Sequence, residues 1–336
     1  MRGAAKKARK TPPKMTTRKN ARIVSPVQCI FFISDTFHAG WEVPRAAFPL
    51  DFSRSSSLKH SCMSTLSPAD TVRLKITLAY QGTHFAGWQV QPKKRGRSVQ
   101  GCLEDALSRL AGEFVRAQGA SRTDAGVHAL GQAAHADIPA SRAGRPWLRA
   151  LNAILPTDMA VLDVTPVSKD FHARYSSASK TYSYTLWHEP RFILPQRRPF
   201  VWAAGPLDTA AMIAAAREFL GTHDFAAFQN AGTDVKSTIR RVDAIDCGPG
   251  QTRAETVWTI TGPGFLKQMV RNILGCLVAV GRGNADAPTI RELFAGKDRR
   301  LSPATAPAHG LCLEQIVFGE RRREPPVDNE QHSKHK

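Results

Sequence analysis

Two hydrophobic periods alternate along the chain from residue 71 onward, and together they restrict the fold class. Between residues 72 and 80, apolar side chains alternate with Arg, Lys, Thr and Ala, which predicts a half-buried β-strand. After Pro263, apolar residues stand at offsets 0, 3, 4, 7, 8 and 11 from Leu266, the spacing of a buried helical face, and Gly281 closes that helix. The chain is therefore predicted to be an α+β protein.

Two successive sets of predicted elements resemble each other in order. The first set is predicted at 72–80 (strand), 98–110 (helix), 147–155 (helix) and 161–164 (strand). The second set is predicted at 182–186 (strand), 208–220 (helix), 241–246 and 256–261 (strands) and 266–281 (helix). Each order is compatible with a split β-α-β unit. We therefore expect an N-terminal half at 71–172 and a C-terminal half at 173–320, with a cleft between them.

The two ends of the chain lack this patterning. The first 22 residues contain nine Lys or Arg and no acidic residue. We expect residues 1–70 and the tail 321–336 to be disordered extensions. The N-terminal stretch has three open explanations: a basic RNA-binding tail, an organelle-targeting peptide, or sequence ahead of a mis-assigned start. Met63 is favoured as the functional start because the patterned region begins directly after it.

Composition excludes some functions and favours others. The net charge is +19, and residues 71–320 carry close to half of it, so the patterned region is basic in its own right. Such a region predicts a polyanionic partner, most often nucleic acid. No apolar run is long enough to span a membrane. The six cysteines form no Cys-x-x-Cys pair and none lies at metal-ligand spacing, so we expect reduced thiols of an intracellular protein and no metal site.

Residues 120–132 concentrate functional side chains and glycines without a helical or strand period, which predicts a loop that presents side chains. Asp124 stands at its centre, and Ala125 and Gly126 leave room for a planar substrate to approach the carboxylate. Arg122 lies two residues away, and a carboxylate beside a guanidinium stays ionised at neutral pH. Asp124 is therefore the candidate nucleophile or electrostatic catalyst.

Seven short segments between about Val72 and Phe318 form an ordered set of motifs. They are Y-Q-G-T-H-F-A-G-W-Q at 80–89, S-V-Q-G at 98–101, R-T-D-A-G-V-H-A at 122–129, F-H-A-R at 171–174, K-T-Y-S-Y at 180–184, G-T-H-D-F at 221–225 and F-L-K-Q-M-V-R-N at 265–272. In order and spacing, this set resembles the tRNA pseudouridine synthase A (TruA) family. The family usually has Gly immediately before Arg-Thr-Asp, where this chain has Ser121. Because serine rarely adopts a positive φ, the loop is expected to approach its substrate at a slightly different angle.

The resemblance implies an isomerase that converts uridine to pseudouridine in the anticodon stem–loop of tRNA, at positions 38, 39 and 40. It implies no cofactor and no metal. Asp124 would be the catalytic aspartate, Tyr182 would stack on the uracil or transfer a proton, and Arg271 would form a bidentate pair with Asp124. The resemblance and the basic charge assign RNA binding to Arg122, Arg174 and Lys267.

The resemblance also implies two ferredoxin-like halves whose strands form one continuous, largely antiparallel sheet, with flanking helices and a central basic cleft. A cytoplasmic homodimer that grips tRNA across both subunits is expected. Two other function classes stay open. One is a catalytically idle RNA-binding protein of the same fold. The other is an aspartic hydrolase, because Asp124-Ala125-Gly126 resembles the aspartyl protease motif, although that chemistry needs a second carboxylate and no second Asp-x-Gly lies in a comparable apolar strand.

Other conspicuous side chains in these motifs are assigned structural roles. His128, His172 and His223 are each expected to make a structural hydrogen bond. Phe85 and Trp88 are expected to lie in the core or the cleft wall. None of these five residues is therefore predicted to be catalytic.

Overall fold

The computed structural model describes residues 70–90, 96–230, 232 and 235–319. All of them lie within Met63–Lys336, the second of two units into which the chain divides. The extensions predicted at 1–70 and 321–336, and the start predicted at Met63, fall outside the described residues, apart from Asp70.

The first half follows the order β-α-β-β-α-β. Its elements are β1 (Thr71–Tyr80), α1 (Val99–Ala111), β2 (Ala117–Gly119), β3 (His128–Pro139), α2 (Trp147–Asn152) and β4 (Met159–Val167). From Leu74 onward, β1 buries every second residue, as its period predicts. Ser98 caps α1 because its Oγ accepts a hydrogen bond from the backbone N–H of Gly101 at 3.1 Å. The buried face of α1 joins the same hydrophobic core as the buried residues of β1.

The second half repeats this order with insertions. Its elements are β5 (Ser177–Trp187), β6 (Trp202–Ala203), α3 (Thr209–Ala216), β7 (Gly221–Asp224), β8 (Ile239–Val242), β9 (Ala244–Pro249), β10 (Glu255–Gly262), α4 (Met269–Gly281), α5 (Ala287–Gly296) and β11 (Leu311–Phe318). Asp208 caps α3 by accepting from the N–H of Ala211 at 2.9 Å. Most residues of α4 are buried, so this helix lies in the core rather than at its surface.

One sheet runs through both halves in the order β4-β1-β3-β11-β5-β10-β9, with β2 beside β3 and β6 beside β5. Most pairs are antiparallel, and the exceptions are β3 with β11 and β5 with β6. Within each half the fourth strand pairs with the first, the first with the third, and the third with the second: β4-β1-β3-β2 and β11-β5-β10-β9. The predicted fold class, α+β with two split β-α-β halves in a largely antiparallel sheet, is confirmed.

The junction of the halves is built on one edge of β3. Its first residues, His128 and Ala129, pair with β11, whereas the segment from Ala134 to Ala136 pairs with β2. Between these two pairings stands Gly131, where a Cβ atom would lie 2.2 Å from the carbonyl oxygen of Glu314. A side chain at Gly131 would push β11 away from β3. The loop between β2 and β3 therefore emerges at the junction of the two halves.

Several predicted boundaries are wrong. The segment 241–246 is divided between two strands that change partner at Asp243: β8 pairs with β7, and β9 pairs with β10. The loop predicted to extend to Gln132 ends at Val127, where β3 begins. The helix predicted from Leu266 begins at Met269, after Gln268 adopts a left-handed conformation with φ of 62°. β11 and α5 had no predicted counterpart.

Candidate active site

The loop 120–127 is fixed to the segment that follows β1. The N–H of Trp88 donates to the carbonyl oxygen of Thr123 at 3.0 Å, and the N–H of Gly126 donates to the carbonyl oxygen of Phe85 at 3.4 Å. Gly87 allows this approach because its φ is +100° and a Cβ atom there would lie 2.8 Å from the oxygen of Thr123. The loop that carries Asp124 is therefore held in one conformation by backbone contacts.

A buried amide, Gln132 of β3, holds the other end of this loop. Its Oε1 accepts from the N–H of Ser121 at 3.2 Å, and its Nε2 donates to the carbonyl oxygen of Ser121 at 2.7 Å. Nε2 also donates to the hydroxyl of Tyr80 at 3.3 Å, and Tyr80 in turn bonds Thr123 Oγ1 at 2.8 Å. Oε1 accepts a further bond from the N–H of Ala133 at 3.2 Å, which uses the full hydrogen-bonding capacity of the amide.

Asp124 and Arg271 lie 147 residues apart in sequence and contact each other in the structure. Arg271 Nη1 is 3.1 Å from Asp124 Oδ2, with side chains 13% and 23% exposed, respectively. Arg271 lies in the first turn of α4 and is held there because its Nε donates to the carbonyl oxygen of Ala306 at 2.8 Å. The predicted bidentate geometry is wrong, because only one N–H···O bond, from Nη1, joins the two side chains. Among the described residues, Asp124 Oδ1 has no hydrogen-bond partner.

Tyr182 projects from β5 next to this pair and is 7% exposed. Its hydroxyl lies 2.6 Å from Ser121 Oγ, and its ring meets Phe265 edge-to-face at 5.5 Å between centroids. Burial raises the pKa of Tyr182 to about 12, against a lowering by the Ser121 hydroxyl and with a further increase from the charge of Asp124. Tyr182 is therefore a neutral phenol at physiological pH.

A cleft of about 1150 Å³ contains all six predicted site residues. Arg122, Arg174 and Lys267 are exposed on its walls, while Asp124, Tyr182 and Arg271 are more deeply placed. Three further cations that the motif analysis did not select also line it: Arg116, Lys180 and Arg240. Asp124 supplies the only carboxylate among the described lining residues. This distribution favours an anionic occupant.

The histidines behave as expected. His128 Nδ1 accepts from the N–H of Gly82 at 3.0 Å and its Nε2 faces the carbonyl oxygen of Pro199 at 2.9 Å, while burial lowers its pKa. His223 Nε2 lies 2.7 Å from the carbonyl oxygen of Leu220. His172 lines the cleft, but its Nδ1 accepts backbone N–H groups of the next turn, at 3.2 and 3.3 Å. Phe85 and Trp88 are buried in the core.

Two groups of site residues could not be predicted from the sequence. Gln132 and the Ala306 carbonyl act only through contacts made by the folded chain. Arg116 and Arg240 stand outside the recognisable motifs, and the basic charge of the patterned region was the one available signal for them. The described ranges contain no cluster of three or more His, Cys, Asp or Glu side chains suited to a metal ion, and no helix apolar and long enough to cross a membrane.

Fold and site together define a two-halved α+β protein that presents one carboxylate in a cation-lined cleft. The model of the tRNA pseudouridine synthase family matches residues 76–176 and 215–319, more than half of the chain. The chain belongs to this family, whose members are isomerases. It is 58% identical over 250 residues to tRNA pseudouridine synthase A of Solidesulfovibrio magneticus. The aligned residues cover 74% of this chain and 91% of that protein.

Two further relatives carry the same name. tRNA pseudouridine synthase A of Maridesulfovibrio salexigens is 53% identical over 248 residues, covering 74% of this chain and 91% of that protein. The protein of that name from Latilactobacillus sakei is 38% identical over 252 residues, covering 74% and 99%. A more distant solved structure, a Cbf5-Nop10-Gar1 complex, aligns with a TM-score of 0.28 at 13% identity over 61% of this chain and 45% of its own, a likeness too weak to bear on the site.

Proposed function

We propose that this protein converts uridine to pseudouridine in the anticodon stem–loop of tRNA, at positions 38, 39 and 40, with Asp124 as the catalytic carboxylate. The observation that carries the proposal is the position of Asp124 in the cleft. One of its oxygens faces Arg271 at 3.1 Å, and the other has no hydrogen-bond partner among the described residues. A carboxylate with one free oxygen is suited to attack, to proton removal or to charge stabilisation.

The reaction leaves the atomic composition of the nucleotide unchanged. The N1–C1′ bond breaks, the base turns, and a C5–C1′ bond forms; the proton on C5 is lost and N1 gains one. Asp124 would act either by attack on the sugar or the base, or by removing a sugar proton to give a glycal. Arg271 balances the carboxylate charge in both routes. Its bond to the Ala306 carbonyl keeps the guanidinium in place when the substrate binds.

Tyr182 would support the turning base. Its ring forms part of the cleft wall and is held edge-on by Phe265, so one face is suited to stack on uracil. Because burial raises its pKa to about 12, the phenol keeps its proton at neutral pH. In a proton transfer, Tyr182 would therefore start as a neutral phenol that donates its proton or accepts a hydrogen bond. It would not start as a phenolate.

The cations of the cleft would hold the RNA. A uridine in a stem is stacked and must be flipped out before the carboxylate can reach it, at a cost of a few kcal/mol. The exposed Arg122 stands two residues before Asp124 in sequence and would fill the vacated space. Arg174 and Lys267 would contact phosphates, which position the RNA without reading its sequence. Because three successive positions of the tRNA are targets, we expect the protein to recognise the shape and the sugar–phosphate backbone of the RNA and not its base sequence.

The assembly and location that we propose are those that the family resemblance implies. A cytoplasmic homodimer would grip one tRNA across both subunits, without a metal or an organic cofactor. A catalytically idle RNA-binding protein of the same fold is the competing function. It is disfavoured because Asp124, Tyr182 and Arg271 are all present and line one cleft.

Pseudouridine mapping on an unmodified tRNA transcript tests the proposal. Wild-type protein should produce pseudouridine at 38, 39 or 40 wherever the transcript has uridine there, and replacement of each uridine by cytidine should remove the matching signal. Asp124→Asn should bind the transcript and produce none. Asp105→Asn, an exposed carboxylate on α1, is the matched control and should retain wild-type activity. Tight binding by the wild type without isomerisation on any transcript would favour the idle binder.

A further inference from the structure

Ser121 is held rigidly by its backbone. Gln132 binds both its N–H and its carbonyl oxygen, and Gln132 is fully buried. The preceding residue is fixed as well: Ala120 donates to the carbonyl oxygen of Ala133 at 2.8 Å and accepts from Lys180 Nζ at 2.7 Å. The φ of Ser121 is not positive, so the side chain is accommodated without backbone strain. These contacts fix the direction of its Cα–Cβ bond.

The hydroxyl of Ser121 meets one group, the hydroxyl of Tyr182, at 2.6 Å. Within the described part of the chain, each of these hydroxyls is the only side-chain hydrogen-bond partner of the other. Both residues line the cleft that contains Asp124. The contact therefore joins the loop of Asp124 to strand β5 at the point where the substrate would lie.

We propose that Ser121 is a positioning residue for the isomerisation: its hydroxyl sets the direction in which the Tyr182 O–H and its lone pairs face the uracil. The inference rests on the proposed function. It assigns a role to Ser121, which stands at the one motif position where this chain departs from the usual glycine. A glycine there would have no hydroxyl to bond Tyr182.

The pair has two useful arrangements. When Ser121 donates, the proton of Tyr182 is free to point into the cleft; when Tyr182 donates, its lone pairs face the cleft. Rotation about the two C–O bonds interconverts these arrangements while the two oxygens keep their positions. A fixed partner with a rotatable hydrogen allows Tyr182 to serve as donor at one stage and as acceptor at another.

Single-turnover kinetics with an unmodified tRNA transcript tests this role. Loss of one oriented neutral hydrogen bond predicts that Ser121→Ala lowers the rate about 3- to 10-fold. The dissociation constant of the transcript should not change. Ser121→Thr keeps the hydroxyl and should restore most of the rate. Ser108→Ala removes a structural hydroxyl, the acceptor of the Val115 N–H at 2.9 Å, and should leave the rate unchanged.

A double-mutant cycle separates positioning from general stability. On a Tyr182→Phe background, the further change Ser121→Ala should have no effect, because the partner hydroxyl is already absent. An equal loss in both backgrounds, or a Ser121→Ala variant as fast as wild type, would overturn the inference. If Tyr182→Phe alone abolishes turnover, failure of Ser121→Thr to exceed Ser121→Ala overturns it instead.

These outcomes are distinct from failure of the proposed function. A wild-type protein that forms no pseudouridine refutes that function and this inference with it. A wild type that is active, together with a Ser121→Ala variant that matches it, refutes the positioning role alone.

Discussion

Replacement of Gln132 by leucine should destabilise the protein and disorder the loop of the candidate site together. Leucine has a similar volume but no polar atoms. The change therefore removes four hydrogen bonds at once: two to the backbone of Ser121, one to the N–H of Ala133 and one to the hydroxyl of Tyr80. Because Gln132 is completely buried, water cannot replace the amide at its own position.

The size of the effect follows from these contacts. Each neutral hydrogen bond contributes roughly 1 kcal/mol net, and the buried leucine recovers part of the loss, so the expected destabilisation is about 3 kcal/mol. For a folded region of this size, that loss corresponds to a fall in Tm of ~6 to 12 °C. The rate of isomerisation should also fall, since Ser121 and the loop leading to Asp124 lose their anchor.

Thermal and urea unfolding of the wild type, Gln132→Leu and Gln315→Leu measure this effect. Gln315 lies on β11 with an exposed side chain, so the same substitution there should change the free energy of unfolding by less than about 0.5 kcal/mol. If the two variants were equally stable, the four contacts of Gln132 would not support the loop as described.

Three further predictions concern charge. Arg271→Gln should reduce the rate of isomerisation about 100-fold with little change in tRNA affinity, since it removes the partner of Asp124, whereas Arg291→Gln, in an exposed pair with Glu218, should not. Arg174→Ala should weaken tRNA binding and reduce, by about 1, the steepness with which the logarithm of the binding constant falls against the logarithm of the salt concentration, as measured by filter binding. The control is Arg300→Ala, because Arg300 does not line the cleft. Burial lowers the pKa of His135 from 6.5 to about 4, so unfolding takes up a proton in this interval. The free energy of unfolding should therefore be highest above pH 6.5 and fall as the pH drops toward 4. His135→Asn, which can still accept the N–H of Ala173, should flatten that dependence in pH-resolved unfolding; His128, His172 and His309, whose pKa values burial also lowers, account for the remainder.

Strong local signals made much of the fold predictable from the sequence. The alternation of β1, the Ser98 and Asp208 caps and the apolar stripe of α4 each appear in the structure. α5 also has a readable signal, a capping box between Asp286 and Thr289, which the helical pattern alone did not reveal. These features depend on neighbours within a few residues, which is why a single sequence contains them.

Long-range pairing could not be predicted in the same way. β3 contains four Ala, two His and one Gly but only one β-branched residue, Ile138, and is held in the sheet by β1, β2 and β11. Likewise, nothing near Arg271 indicates Asp124, and that pairing was expected from the family resemblance alone. The contact of Ser121 with Tyr182 arises from the junction of the halves, so it becomes visible only once β5 and the loop are placed together.

Release of tritium from C5 tests the central claim, that Asp124 is the catalytic carboxylate of a uridine isomerase. Formation of the C5–C1′ bond expels the hydrogen on C5, so a transcript labelled with [5-³H]uridine should release tritium to water in step with pseudouridine formation. The account predicts release by the wild type, and none by Asp124→Asn at a protein concentration where both bind the transcript fully. Release by Asp124→Asn at the wild-type rate would contradict it.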